Sequence, residues 1–430
     1  MKPIYFLLPI LVSSSLHALT LQEAIKISID TNPKTVANQL RVQAMEDRLK
    51  AQKLSWLPTV TTTLGTDLSR SKYSSEMLDR SSSSRENSVG ASTSFKLYDG
   101  GADKFATLEA EANLKAMKAR YSSSNALIPN TRGSIAREVI DAYAGLLEVI
   151  EQQKYLGFIS GVLQTYATAF RGDDLVVVQQ KINDLKTSNI KINFNHEQAL
   201  KDFKYFTTVE APAAAELDTI QQAIQSLVIP ANADEAFRIA LDKNPNIKMA
   251  EYDVESSQYG YEAGRARRNS PQISLQASTN RSLGNTNDTL NRSGRASIGV
   301  YLSYTLDAKK SHFDAASVKT LEAAKNDLSA MTKETKYTIE TFYPNLENQE
   351  NVFRSQLENL KSADDSLNQI LAKIKAGQTV DINVALNVLS AHQQYTYQSI
   401  TQQVSILYTR FNIQRSVGTL FDNLGGLRQR

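Results

Sequence analysis

The 430 residues allow two or three ordinary domains or one long repetitive one. Only 18 Gly and 10 Pro interrupt them, which favours long helices over a loop-rich β-sandwich, because these are the strongest helix breakers. Forty-eight basic and 45 acidic residues are mixed along the chain for a net charge of +3. No basic stripe offers itself to nucleic acid, and the absence of cysteine excludes disulfides, zinc ribbons, iron–sulfur clusters, thiol catalysis and lipid anchoring on an N-terminal Cys.

Lys2, an apolar run from Ile4 to Val12 and then Ser13-Ser14-Ser15-Leu16-His17-Ala18 have the form of an export leader, with cleavage expected after Ala18. The run is too short to span a bilayer, which takes about 20 residues. Residues 1–18 are therefore assigned as a signal peptide.

The chain then says one thing twice. Glu23-Ala24-Ile25-Lys26-Ile27-Ser28-Ile29-Asp30-Thr31-Asn32-Pro33 has a counterpart in Glu235-Ala236-Phe237-Arg238-Ile239-Ala240-Leu241-Asp242-Lys243-Asn244-Pro245. Each is an amphipathic helix stopped at Asn-Pro, since the residue before proline is pushed out of the α region. Each is followed by a helical pattern and then another proline, Pro58 or Pro271. Like elements in like order point to an internal duplication.

After those prolines the apolar period drops to two. Val60, Thr62, Leu64, Thr66 and Leu68 alternate in the first copy, as do Ile273, Leu275, Ala277 and Thr279 in the second. Polar segments follow, Ser69 to Asn87 and Asn280 to Arg295. Alternation returns at Val89, Ala91, Thr93, Phe95, Leu97 and at Ala296, Ile298, Val300, Leu302, Tyr304, Leu306. Hairpins are expected at about 58–98 and 271–306. About ten residues with one apolar and one wet face is the size of a tilted β-barrel span. Trp56, Leu57, Tyr98, Tyr301 and Tyr304 suit an interfacial belt. Alternation alone favours a half-buried hairpin of a soluble protein; export and the duplicated context turn the reading to the barrel.

Each hairpin runs into a long helical stretch. From Ala102 to Phe170, apolar residues recur at threes and fours, as at Ile135, Val139, Ala142, Leu146, Val149, Leu156, Ile159, Leu163 and Tyr166. The second copy gives Phe353, Leu357, Leu360, Leu367, Leu371 and Ile374, with Asp364 at one heptad position. Such a stretch is on the order of 100 Å of helix at ~1.5 Å per residue. A long dimeric coiled coil without a channel fits this part too. Pro129 and Pro344 are expected to kink or interrupt the helices. The chain turns back at tips near 171–175 (Arg171-Gly172-Asp173-Asp174) and 375–382 (Lys375-Ala376-Gly377-Gln378), where Gly suits a helix C-terminus and Asp a cap. A linker over 207–230, with one short helix around Leu217 to Leu227, joins a first repeat (19–230) to a second (231–430).

Leu21-Gln22-Glu23-Ala24 through Asn32-Pro33, Trp56-Leu57-Pro58, Leu97-Tyr98-Asp99-Gly100-Gly101, and the Gly377 tip leading to Asn387-Val388-Leu389-Ser390-Ala391, taken in this order and duplicated, resemble the TolC family of outer-membrane efflux and type I secretion channels. The resemblance covers essentially the whole chain after the leader. It implies a mainly α fold with a small β part: a long antiparallel coiled-coil helical barrel, plus four strands per chain in a shared outer-membrane β-barrel. It also implies a homotrimer in outer-membrane lipid, a periplasmic adaptor and an inner-membrane pump of RND or ABC type. The residues themselves leave two or three copies open, since four strands cannot close and the smallest natural barrels have about eight. The family's second tip often carries Asp before Val-Leu and again after Leu. Here those places hold Asn387 and Ser390, so the resemblance does not extend to an acidic constriction. Arg171, Gly172, Asp173, Asp174, Lys375, Gly377, Gln378, Asp381 and Asn387 are the candidates for gate or adaptor contacts, with helix capping as the plainer role for the three aspartates.

No catalytic, cofactor or metal site is expected. His196, His312 and His392 lie on separate helical stretches without metal-ligand spacing, and read as solvated or packing residues. There is no nucleophile elbow and no phosphate-cradling loop. Tyr143 and Tyr343 sit at matching points of the copies and read as packing residues. The rival to a channel is a soluble periplasmic coiled-coil scaffold or adaptor, which accounts poorly for four alternating strands.

Overall fold

The computed structural model describes residues 19–75, 78–122, 131–213, 217–282, 294–306 and 308–422, and the side chains among them except Asp67 and 69–86. The expected leader and Pro129 lie outside the described residues. The elements are α1 (Leu21–Thr31), α2 (Pro33–Lys53), β1 (Thr59–Ser75), β2 (Leu78–Tyr98), α3 (Ala102–Ser122), α4 (Arg132–Ala169), α5 (Gly172–Thr207), α6 (Ile220–Ser226), α7 (Ala233–Lys243), α8 (Pro245–Asn269), β3 (Gln272–Ser282), β4 (Gly294–Ser303), α9 (Lys310–Lys375) and α10 (Ile382–Val417). Two helices, a hairpin and long helices follow one another twice, with α6 in the joining segment.

Local chemistry sets the boundaries. Thr20 opens α1 with a capping box, its hydroxyl accepting from Glu23 N while the Glu23 carboxylate accepts from Thr20 N. Asn232 caps α7 by accepting from Glu235 N at 2.8 Å. Asn32 and Asn244, each before a proline, adopt extended backbone and end these helices. The prolines then start α2 and α8 at the first helical position, where a missing N–H costs nothing.

The chain divides into two compact units. One holds residues 40–118 and 249–330. Its sheet has strand order β1-β2-β3-β4, antiparallel throughout. Its helical segments bury small side chains, Ala112, Ala116 and Ala263 among them, so the backbones approach closely. Ion pairs Lys53–Glu111 at 2.7 Å and Lys118–Glu46 at 2.8 Å link α2 to α3. Arg268 of α8 pairs with Asp314 of α9.

The other unit takes the described residues of 1–39, 119–248 and 331–430. Three apolar clusters hold it. The first joins α1, α4, α5, α6 and α10 around Ile25, Ile140, Tyr143, Phe203 and Phe411. The second lies between α4, α5, α9 and α10, around Leu163, Tyr166, Val178, Leu367 and Leu389. The third gathers α7, α9 and α10 around Ala240, Ile339 and Ile413.

The structure sharpens three sequence expectations. The polar segment from Ser69 is strand as far as Ser75, and the ladder continues to Ser75 opposite Leu78. Backbone pairing needs no apolar face, and when both faces are polar the period of two leaves no mark on hydropathy. The stretch from Ala102 to Phe170 is interrupted, as expected, into α3 and α4, with Thr131 in extended backbone opening α4. In the second copy α9 runs through Pro344 without interruption, with Phe342, Tyr343 and Leu346 packed in the third cluster. That packing offsets the hydrogen bond the proline removes.

Candidate functional site

Two features are the candidates for a functional site: the faces of the sheet and the two helical tips. In the sheet, register decides which side chains share a face. Val60 lies opposite Thr93, Thr93 opposite Ala277, and Ala277 opposite Ile298. Leu64 lies opposite Val89, Phe95 opposite Leu275 and Leu275 opposite Val300. The alternating residues named from the sequence within these strands therefore fall on one face, apart from Leu97, where the register shifts and Tyr98 takes the place opposite Ile273. Leu64 is 85% and Ile298 76% exposed. A contiguous apolar face left this bare marks a partner surface or lipid. From Val60 to Leu68 the strand rises roughly 27 Å at ~3.4 Å per residue, which matches the ~25 Å apolar band of outer-membrane barrels.

The opposite face is polar. Thr61, Ser92, Ser278 and Ser297 form one row, and Thr63, Gly90, Asn280 and Arg295 another. Ser278 and Ser297 hydroxyls lie 2.9 Å apart. The register shift between Lys96 and Tyr98 places a bulge near the strand end. Beyond it, Asp99 accepts from Gly101 N and Asp103 N, both at 2.9 Å, and Lys96 donates to Asp103 at 2.7 Å. Burial pushes the Asp103 carboxyl up, but Lys96, Ser55 and Asp99 together hold it below the usual range. As outer strands, β1 and β4 each keep one side of the ladder unpaired within the chain.

At the first tip, α4 ends on Phe170, whose ring meets Tyr166 edge-on at 5.9 Å. Arg171 is extended, and its guanidinium donates to Thr168 O at 2.9 Å and Phe170 O at 3.0 Å. It satisfies carbonyls at a helix C-terminus, where positive charge is favoured. Gly172 takes φ +59°, and Asp173 and Asp174 occupy the first turn of α5 without a side-chain cap. At the second tip, Gly377 N donates to Ile374 O and Gln378 N to Lys373 O, both at 3.0 Å. That is the Schellman pattern, completed by Gly377 at φ +71°. Asp381 caps α10 by accepting from Asn383 N at 2.8 Å, the plainer of its two expected roles.

All nine tip candidates, Arg171, Gly172, Asp173, Asp174, Lys375, Gly377, Gln378, Asp381 and Asn387, are exposed. Ile382, Ala385, Leu389 and His392 turn into the second cluster or its border. Asn387 and Ser390, spaced off that stripe, are exposed. The places that are acidic in the resembling family thus present an amide and a hydroxyl away from the chain's own core.

Sequence reasoning missed the role of one histidine. His196 is half-buried and His312 exposed, but His392 is buried and bonded to Tyr155 and Asp364. The available signal was Asp364 at a heptad position, where a carboxylate calls for a polar partner. Among the described residues no cluster of three or more His, Asp or Glu is placed to hold a metal, and no helix is long and apolar enough to cross a membrane.

A model of the outer membrane efflux protein family matches residues 24–161 and 237–413, one stretch in each copy. The open-state MtrE outer membrane channel of Neisseria gonorrhoeae superposes with a TM-score of 0.70 at 14% identity, over 98% of this chain and 98% of that one. VceC of Vibrio cholerae, an outer membrane protein, gives 0.68 at 12% identity over 93% and 96%. The CmeC outer membrane channel of Campylobacter jejuni gives 0.65 at 13% over 93% and 85%. At such identities the likeness is one of fold. The comparison with curated proteins gave no match. With most of its length matched by the family model, across both hairpins, most of α4 and the whole of α9, the chain belongs to the outer membrane efflux protein family and is an outer-membrane channel protein reaching into the periplasm, in a family of channels rather than enzymes.

Proposed function

We propose that three copies of this chain close one twelve-stranded barrel (3 × 4 strands) and one helical conduit, which serves as the exit duct for an inner-membrane pump and its periplasmic adaptor. The observation that carries this reading is the four-stranded sheet with a bare apolar face and two unpaired edges. Unpaired backbone in lipid costs several kcal/mol per group, so the edges must meet those of other copies. The number three comes from the family. The polar face then lines a water-filled lumen. The chain is a passive conduit, and the energy is the pump's, of RND or ABC type. Arg171, Gly172, Asp173, Asp174, Lys375, Gly377, Gln378, Asp381 and Asn387 form the gate or meet the adaptor, which opens the tip by binding its open arrangement better.

Single-channel conductance in a planar bilayer tests this. The wild type should conduct little. Ile382→Ala with Leu389→Ala empties the core beneath the second tip and should raise conductance. If neither protein conducts, the conduit reading fails.

A further inference from the structure

Charge is distributed unevenly over the long helices. From Ile382 to Thr409, α10 carries no Asp, Glu, Lys or Arg, over about 40 Å of helix at ~1.5 Å per residue. Its two charged residues, Arg410 and Arg415, come after that stretch. The corresponding helix of the first copy, α5, is also 36 residues long and carries ten, from Asp173 to Lys204.

Burial within the chain does not explain the difference. One stripe of α10 is packed: Ile382, Ala385, Leu389 and His392 turn into the second cluster or its border. The flanks belong to α4 and α9. His392 Nδ1 lies 2.7 Å from the Tyr155 hydroxyl of α4, Gln402 donates to Gln349 O of α9 at 3.1 Å, and Thr409 donates to Gln349 Oε1 at 2.8 Å. Two residues beyond the four packed ones stand Val384, Asn387, Ala391 and Gln394, and the same threes and fours continue to Gln398 and Thr401. Two residues turn a helix by about 200°, so this second stripe lies opposite the packed one. Ala391 is half-buried and the other five are exposed. Its spacing is that of a coiled-coil seam, which takes a helix as its partner.

The missing charge indicates which helix. Around a rotation axis a helix meets its own copies, parallel and at the same height, so each residue faces itself. A charged side chain would face its like and be repelled. Asn and Gln donate and accept at once, so three of them bond round a ring, and such residues in a seam fix its register. A face turned to bulk water or to a different protein is under no such restriction, as the charges of α5 show.

We propose that this outer stripe of α10 faces the axis of the assembly, where three copies of it meet, with Asn387, Gln394 and Gln398 as rings of amides. Three helices in contact along a seam leave no passage between them, so this contact is the closed state of the second tip. It extends the seal from Asn387 to Thr401, about 21 Å up the helix at ~1.5 Å per residue. The inference rests on the conduit reading above and names what closes it.

The native chain has no cysteine, so single substitutions report self-contact. Gln394→Cys should oxidise to dimers on a denaturing gel, two of the three thiols in each ring joining, because a disulfide needs Cα atoms within about 7 Å. Asn189→Cys, exposed on α5, should stay monomeric. In planar bilayers, Gln394→Glu sets three like charges on the axis and should raise the open fraction about fivefold. The uncharged Gln394→Leu should stay as closed as wild type. Monomers from Gln394→Cys, or dimers from both cysteine variants alike, overturn the seam. So does a Gln394→Glu channel no more open than wild type where the protein carrying Ile382→Ala and Leu389→Ala conducts; the conduit reading then stands. Dimers confined to Gln394→Cys in proteins that never conduct uphold the seam and overturn the conduit reading.

Discussion

Tyr143 and Tyr343 do more than fill space. Tyr143 is fully buried, donates to Leu19 O at 2.8 Å and accepts from Asp218 N at 3.3 Å. Tyr343 donates to Pro230 O at 2.9 Å. Each hydroxyl ties down the segment that leads into its repeat's first helix, α1 or α7. Tyr143→Phe strands two backbone groups and should cost ~1–3 kcal/mol. Tyr343→Phe strands one, in a more open place, and should cost about 0.5–1.5 kcal/mol. Thermal midpoints in detergent should fall in that order; equal losses would contradict the two-bond role of Tyr143. Two glycines make a second contrast. Gly418 ends α10 at φ +85°, and a Cβ there would lie 2.5 Å from Lys243 O. Gly377 needs positive φ but has open space around it. Gly377→Ala should cost about 1 kcal/mol for backbone strain alone. Gly418→Ala should cost clearly more, because a backbone carbonyl cannot step aside, and the two midpoints report the difference.

Among the elements, the hairpins give the sharpest test, because adjacent residues face different solvents. Leu64 sits on the apolar face and Thr63 on the polar one. Leu64→Lys should cost ~2–4 kcal/mol if lipid covers it near the midplane, and Thr63→Lys little. Refolding into vesicles, followed by resistance to unfolding in urea, measures both; equal penalties would mean that lipid does not cover that face. The same alternation made the strands legible in the sequence, because lipid on one side and water on the other impose a period of two. From Ser69 to Ser75 the residues of both parities are polar, so that period carries no hydropathy and the strand there is not marked by alternation. Helix ends at Asn-Pro were legible because proline acts locally. The continuity of α9 through Pro344 was not, because it depends on packing by α7 and α10. The tips were legible through glycine and aspartate chemistry. His392 was not, since its partners stand 28 and 237 residues away.

At the scale of the whole molecule, parity matters. With four antiparallel strands, β1 and β4 run in opposite directions, so β4 of one copy can extend the sheet beside β1 of the next without breaking the antiparallel pattern. Within one chain, β2 and β3 separate them, a distance of about 14 Å at ~4.8 Å per strand. A disulfide needs Cα atoms within about 7 Å, so any bond between β1 and β4 must join two copies. The chain has no cysteine of its own, which leaves introduced pairs without competition. Thr61→Cys combined in turn with a cysteine at each position from Ala296 to Val300 scans the register. Upon oxidation in the membrane, one register should yield covalent dimers and trimers on a denaturing gel, with the trimer as the largest closed product. A ladder that stops at dimers would mean an eight-stranded barrel (2 × 4 strands). Monomers at every register would mean that the edges do not meet, and the shared barrel would have to be abandoned.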